Sequence, residues 1–337
     1  MKKGLILLGV LIIAGILLFT ACAPAEQPQE QPPEEKKLKV VGIFATPIEE
    51  PWDGAIHHAL LKAKEELGIE YEWTESVGYS DFERVLREYA DKGPDIIMGD
   101  AFGNEEAARR VAKDYPNIAF VFGSGGGPMD PNFAVFDDWI HEPAYLAGLI
   151  AGNLTKSNII GVVAGYPVPE VNRIVNAFIV GAKEVNPDVK VKVTFIGSWF
   201  DPPKAKEAAI AQIEAGADVM FGERYGVIDA CKERDIPVFG NILDQCDLAP
   251  GLVIGSPVWD MWPTVKFVIE SVKNGSFKAV DLKDWSMMGK GGAKLVLCEE
   301  WKDKLPEDVK TLIEKKTQDI INGLFRVPVD ENTPKSD

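Results

Sequence analysis

The sequence predicts an α/β protein of two similar lobes, each a parallel sheet covered by helices, with a ligand cleft between them. Three observations carry this expectation. Short apolar runs alternate with amphipathic stretches from Leu38 onward. The same order of elements then occurs a second time. In each half, a strand ends in an acid, an aromatic and a glycine.

In the first half, Leu38 to Ala45 reads as a buried strand, Trp52 to Leu67 as a helix and Ile69 to Ser76 as a strand. Asp81 to Asp91 reads as a helix, Asp95 to Gly99 as a strand, Asn104 to Asp114 as a helix and Ile118 to Phe122 as a strand. Strands alternating with helices of this length indicate a parallel, helix-covered sheet. The second half repeats the order. Its strands fall at Ile159 to Val163, Val191 to Ile196, Asp218 to Phe221 and Pro237 to Gly240. Its helices fall at Pro169 to Glu184, Lys204 to Glu214 and Val227 to Glu233. His141 starts a further helix.

The repeat is also written in residues. Gly93-Pro94-Asp95 leads to Gly99-Asp100-Ala101-Phe102-Gly103, and Gly216-Ala217-Asp218 leads to Gly222-Glu223-Arg224-Tyr225-Gly226. The offset is 123 residues throughout (Gly93 to Gly216, Gly99 to Gly222, Gly103 to Gly226). Both halves close on Val-Phe-Gly, at Gly123 and Gly240, and Gly78-Tyr79-Ser80-Asp81 answers Gly197-Ser198-Trp199-Phe200-Asp201. Ligands of open parallel sheets sit beyond the carboxyl ends of the strands, so the two halves would face each other across one cleft.

A strand (Leu252 to Gly255), a helix (Trp259 to Lys273) and a last helix near Asp308 to Ile321 follow. Chain crossings between lobes are expected near Asp137 to Glu142, Gly255 to Pro257 and Asp281 to Trp285. This gives one lobe of residues 38–140 with 257–283, a second of 141–256 with 284–325, and a tail of 326–337.

The first residues form a targeting segment. Lys2 and Lys3 precede an apolar run from Gly4 to Phe19, and Thr20-Ala21-Cys22 follows. Small residues before a cysteine at the end of such a run resemble a lipoprotein signal. That implies a signal peptide over 1–21 and a lipid on Cys22. Phe19 stands where leucine is usual. The other reading is an uncleaved anchor, although a run of 16 residues is short of the roughly 20 that span a bilayer. Both put the folded body on the extracytoplasmic face of the cell membrane. Residues 22–37 are mostly Pro, Glu and Gln and read as a disordered tether. Cys231, Cys246 and Cys298 remain; Cys231 to Cys246 is a possible disulfide, which the sequence does not fix.

The 337-residue chain is 46% hydrophobic and 26% charged, with a formal charge of −16. That charge argues against nucleic-acid binding. No pair of cysteines has structural-zinc spacing. His57 and His58 are helix neighbours on different faces, so no metal is expected there. The stretch Gly123-Ser124-Gly125-Gly126-Gly127-Pro128 lacks the phosphate-loop Lys and Ser/Thr and reads as a mobile loop. Hydrolase and zincin motifs are missing as well. No catalytic residue and no cofactor are expected.

The motifs Tyr145-Leu146-Ala147-Gly148, Pro167-Val168-Pro169-Glu170, Gly181-Ala182-Lys183-Glu184-Val185-Asn186-Pro187 and Gly197-Ser198-Trp199-Phe200-Asp201-Pro202 together resemble the basic membrane protein family. These are substrate-binding lipoproteins of ABC transporters. The resemblance runs roughly from Lys39 to Lys278. It implies a type I periplasmic-binding-protein fold, a permease partner, and purine nucleosides or free bases as ligands. Where many members carry Asp-Lys-Ser-Phe-Asn, this chain has Glu50-Pro51-Trp52-Asp53. The family's sugar-associated Lys falls on Trp259, which favours a base over a nucleoside.

The candidate ligand contacts follow from both lines. Trp52 would stack on a flat ring, with Asp53 beside it accepting N–H groups. Trp199 would supply the opposite face. Asp100 and Phe102, with Glu223 and Tyr225, are the repeat-related acids and aromatics. Asp244 matches a ligand-contacting Asp of the family, and Trp259 completes the set. The competing readings are lobe packing for the aromatics and helix or turn capping for Asp53 and Asp244. Three alternatives stay open: an amino-acid receptor using Arg224 for the ligand carboxylate, a sugar receptor or sensor, and a nucleoside hydrolase using Asp100 and Glu223.

Overall fold

A computed structural model describes residues 37–123 and 126–337. The leader, Cys22, nearly all of the tether, and Ser124 and Gly125 of the glycine-rich loop lie outside the described residues.

The first sheet uses β1 (Lys39–Ile43), β2 (Glu70–Thr74), β3 (Ile96–Asp100), β4 (Ala119–Gly123) and β5 (Phe133–Phe136), in the order β2-β1-β3-β4-β5. Every pairing in it is parallel. The central runs Val-Val-Gly-Ile and Ala-Phe-Val-Phe are buried on both faces, as a helix-covered sheet requires. The covering helices are α1 (Pro51–Glu66), α2 (Phe82–Ala90) and α3 (Glu105–Asp114). Helix α1 starts sharply because Pro51 opens it and the Glu50 carboxylate accepts from the Trp52 and Asp53 N–H groups.

The chain leaves this sheet after Phe136 and enters α4 (His141–Leu154), which packs along α5 (Pro169–Val185). A Cβ at Gly148 would collide with the Phe178 carbonyl, and one at Gly181 with the Tyr145 carbonyl. The two helices therefore touch backbone to backbone. The second sheet runs β11-β10-β9-β8-β6-β7. Its members are β6 (Ile159–Ala164), β7 (Lys190–Phe195), β8 (Val219–Gly222), β9 (Val238–Phe239), β10 (Val253–Trp259) and β11 (Ala293–Leu297), with α6 (Pro202–Glu214) and α7 (Val227–Arg234) between them. Helix α8 (Trp262–Lys273) returns to pack on α1 of the first lobe. Val135 then pairs with the segment at Val280 and Leu282, before the chain goes back to β11, α9 (Glu299–Lys304) and α10 (Glu307–Ile321). The protein thus has the two-lobed, parallel-sheet α/β fold of periplasmic binding proteins.

Four features depart from the sequence expectation. Strand β5 is a run of only four residues, and β11 is a short strand paired antiparallel to β10; neither was expected. Strand β10 continues through Pro257 to Trp259, where the sequence suggested a crossing and a helix start. Its neighbour β9 pairs no further than Gly255, so a proline beyond that point removes no bond to β9. The disulfide joins Cys246 to Cys298, with Cα atoms 5.5 Å apart, and Cys231 is a buried free thiol in α7. The sequence offered Cys231 as a possible partner without fixing the pairing; Cys298 follows β11, and the fold brings it to the turn at Cys246. Lastly, the tail lies along the second lobe. The Asp337 N–H donates to the Val191 carbonyl, and Val191 and Val193 donate to Asp337 and Ser336 side chains. This covers β7, an edge strand.

Candidate functional site

The carboxyl ends of both sheets converge on a cavity of about 360 Å³. The first lobe sends Thr46, Glu50 and Trp52 from the β1–α1 connection, Asp100 and Phe102 from the end of β3, and Asp137 and Trp139 from beyond β5. The second lobe sends Glu170 and Arg173 from α5, Trp199 from beyond β7 and Arg224 from beyond β8. Asp281 and Glu331 complete the acidic part of the wall.

Aromatic rings form its two flanks. Trp52 stacks on Phe136 (5.7 Å between centroids, 20° between planes) and leans on Trp259 at 5.1 Å. Gly123 lies against the Trp52 ring, and a Cβ there would run into the indole. On the other side, Trp199 packs on Tyr166 at 4.8 Å. Phe102 is 43% exposed and meets Trp199 edge-on at 5.0 Å, reaching from one lobe to the other.

Two guanidinium clusters set the electrostatics. Arg224 donates to both Glu223 oxygens, to the Trp199 carbonyl (3.1 Å) and to Glu50 Oε1 across the cleft (3.3 Å). Glu223 also accepts from the Gly165 N–H at 2.9 Å. All three charged side chains are buried. Arg173 donates from Nη2 to Asp137 Oδ2 (2.6 Å) and to the Asp138 carbonyl (3.1 Å), and from Nη1 to Glu331 Oε1 (3.3 Å). Its guanidinium lies 4.1 Å above the Trp139 ring.

These surroundings move several carboxyls upward. Burial pushes Asp100 up to about 7 against the Phe102 N–H bond, with Glu50 and Asp137 adding repulsion. Burial, then Asp137, pushes Glu170 up to about 8. Asp138 and Asp53 also lie well above the usual carboxylate range, chiefly through burial. Among the described residues, one acidic group comes close enough to hold a cation: Asp137, Asp138 and Glu170, with oxygens within 4.8 Å of one another. The Arg173 guanidinium already provides the counter-charge there.

Of the sequence candidates, Trp52, Asp100, Phe102 and Trp199 line the cavity. The others lie outside its wall. Asp53 is buried beside it and accepts from the Thr46 N–H (2.9 Å) and Oγ1 (2.6 Å), fixing the loop after β1. Glu223 sits behind Arg224. Tyr225 turns toward Phe200. Asp244 is in a loop and accepts from the Cys246 N–H, a turn bond. Trp259 is at a strand end, 2% exposed, its Nε1 donating to Ser286 Oγ (3.1 Å). The sequence reading missed Glu50, Asp137, Trp139, Glu170, Arg173 and Glu331 as lining residues. One signal was available: Phe136-Asp137-Asp138-Trp139 again sets an acid and an aromatic just past an apolar run.

Known proteins agree with this architecture. The chain is 32% identical over 295 residues to a purine-binding protein of Brucella abortus, covering 86% of this chain and 82% of that one. It is also 32% identical to a putative ABC transporter glucose-binding protein of Haloferax volcanii, covering 86% and 74%. A nucleoside-binding protein of Lactococcus lactis is 24% identical, over 97% of this chain and 99% of that one. The solved structure of an ABC transporter solute-binding protein from Aeropyrum pernix superposes with a TM-score of 0.75 at 22% identity, covering 87% and 94%. At that identity the likeness shows the fold alone. Among the described residues no helix is long and apolar enough to cross a membrane. The model of one family, PnrA-like ABC transporter substrate-binding proteins, matches residues 38–331. Its members bind solutes for a transporter and are not enzymes. The chain belongs to this family, and it is a solute-binding component of an ABC transporter.

Proposed function

We propose that the protein captures a purine base, in preference to a nucleoside, in the cleft between its lobes. It then hands the base to the permease of its transporter. The carrying observation is the composition of the cleft. Aromatic rings stand on both lobes, and among the described residues six carboxyl side chains but only two guanidinium groups line the wall. Both guanidinium groups are already engaged by acids. Such a wall suits a flat ligand rich in N–H donors. It does not suit a ligand carboxylate, because Arg224 has no charge to spare for one. The names of the Brucella and Lactococcus relatives support the purine class. The preference for a base is supported by the position of the buried Trp259 indole behind Trp52, and by the lack of lysine among the described lining residues.

A second reading, a sugar, is favoured by the Haloferax relative. Thermal-shift titration with adenine, hypoxanthine, adenosine, guanosine and glucose separates the two. A base should raise the melting temperature in proportion to the logarithm of its concentration. Stabilisation by glucose alone would replace the purine reading. The body is proposed to hang from a lipid on Cys22 at the extracytoplasmic membrane face. Cys22→Ser should release the protein from washed membranes; membrane retention by the variant would refute the lipid anchor.

A further inference from the structure

Around Arg173 gather four carboxyls for one guanidinium. Two of them, Asp137 at 2.6 Å and Glu331 at 3.3 Å, hold it by hydrogen bonds and already exceed its single positive charge. The other two have no such compensation. The Asp138 side chain is 0% exposed, its Oδ1 lies 3.6 Å from Nη2, and neither of its oxygens accepts from a conventional donor. Glu170 Oε1 is likewise buried without a donor. The Asp138 and Glu170 carboxyl oxygens nevertheless lie within 4.8 Å of one another. Two buried carboxyls this close repel as anions, and one can bond the other only by carrying a proton.

We propose that Asp138 is a neutral acid that donates to Glu170, and that Glu170 is itself protonated at neutral pH and points its O–H into the cleft as a hydrogen-bond donor to the ligand. This rests on the cleft being the ligand site. It assigns a specificity-determining residue: Glu170 selects a ligand edge with an acceptor, such as a ring nitrogen or carbonyl of a purine. The surrounding carboxylates select its N–H groups.

The neighbouring charges agree with the assignment. From the link after β5 come Asp137 and Asp138, and from the start of α4 His141; burial holds His141 neutral, down to about 4. Helix α5 contributes Arg173, and the tail contributes Glu331. Glu223, beyond β8, adds negative charge toward Glu170. Glu170 also lies in the first turn of α5, where the helix dipole favours the ionised form. That preference is modest and, with the pull of Arg173, is opposed by burial and by the Asp137 and Glu223 carboxylates. Burial keeps the group protonated to about 8.

The test is calorimetric titration of adenine, which stays uncharged from about pH 6.5 to about pH 9, into the wild type, Glu170→Gln and Glu170→Ala. Wild-type affinity should fall about tenfold between pH 7 and about pH 9 as the donor ionises. Glu170→Gln, whose amide donates at every pH, should lose no affinity between pH 7 and about pH 9, while Asp100, which lines the same cleft and is raised to about 7, ionises in both proteins. Glu170→Ala should be about tenfold weaker than Glu170→Gln at pH 7. Wild-type affinity that is constant or rises with pH would overturn the proposal, as would Glu170→Gln being as weak as Glu170→Ala. If adenine does not bind at any pH, the purine reading fails, and the infrared spectrum of the ligand-free protein decides the protonation. A protonated-carboxyl band lost between pH 7 and about pH 9, and missing in Glu170→Gln, supports it; no such band overturns it.

Discussion

The ends of β3 and β8 are the same place in the two repeats, and the protein uses them differently. After β3 stand Asp100, Ala101 and Phe102; after β8 stand Glu223, Arg224 and Tyr225. Asp100 holds the Phe102 N–H at 2.7 Å, forms no ion pair among the described residues, and faces the cavity. Glu223 is bound to Arg224 and withdrawn behind it. Phe102 crosses to Trp199, while Tyr225 packs on Phe200. The difference lies at the middle position. Ala101 is buried and inert, whereas Arg224 engages its neighbouring acid, reaches over the cleft to Glu50 and takes the place on the wall that the aromatic holds in the first lobe. A repeat thus preserves position, and one intervening residue decides what the flanking acid and aromatic do.

The largest effect should come from that middle position. Arg224→Met strands Glu50 and Glu223 as buried carboxylates, and a loss of about 3–5 kcal/mol of stability is expected in urea unfolding. Adding Glu50→Gln and Glu223→Gln should restore most of it. If the single variant is as stable as the wild type, the ion cluster does not hold the second lobe's strand end. The aromatics come next. Phe102→Ala should weaken ligand binding by about 1–3 kcal/mol, the scale of one base stacked on an aromatic. Tyr225→Ala should change it by less than about 0.5 kcal/mol. Equal losses would restore the symmetry that the sequence suggested.

The smallest effect concerns pH. Asp100 is raised to about 7 in the folded protein. The contribution of its protonated form is therefore complete below about 4, the pH where the unfolded group titrates, and is lost as the pH rises through about 7. Asp100→Asn should flatten that decline by about 1 kcal/mol between pH 4 and about pH 8 in the unfolding free energy, a figure kept low because the side chain is partly solvated. A decline of unchanged slope in Asp100→Asn would assign it to other groups.

Much of this was legible beforehand because it is local. Apolar period, strand length and the paired Gly-Asp-x-Phe-Gly and Gly-Glu-x-Tyr-Gly turns specify the sheets and point Asp100, Phe102, Trp52 and Trp199 toward one cleft. What stayed hidden is non-local or brief. Strands β5 and β11 lie outside the repeated order of elements, one after the last strand of the first half and the other after α8. Trp259 reads as a helix start just past an expected crossing, yet the strand runs on where its neighbour has ended. The Arg173 cluster joins a link after β5, a helix and a tail residue 158 positions further along the chain, so no window of sequence contains it. The same holds for Cys246 and Cys298, 52 residues apart.

The most direct measurement is isothermal titration of adenine and glucose, each into the wild type, Phe102→Ala and Tyr225→Ala. A purine-specific cleft with an unequal pair of strand ends predicts saturable adenine binding, weakened at least about fivefold by Phe102→Ala and barely touched by Tyr225→Ala, with no heat from glucose. Saturable glucose binding without any response to adenine would contradict it.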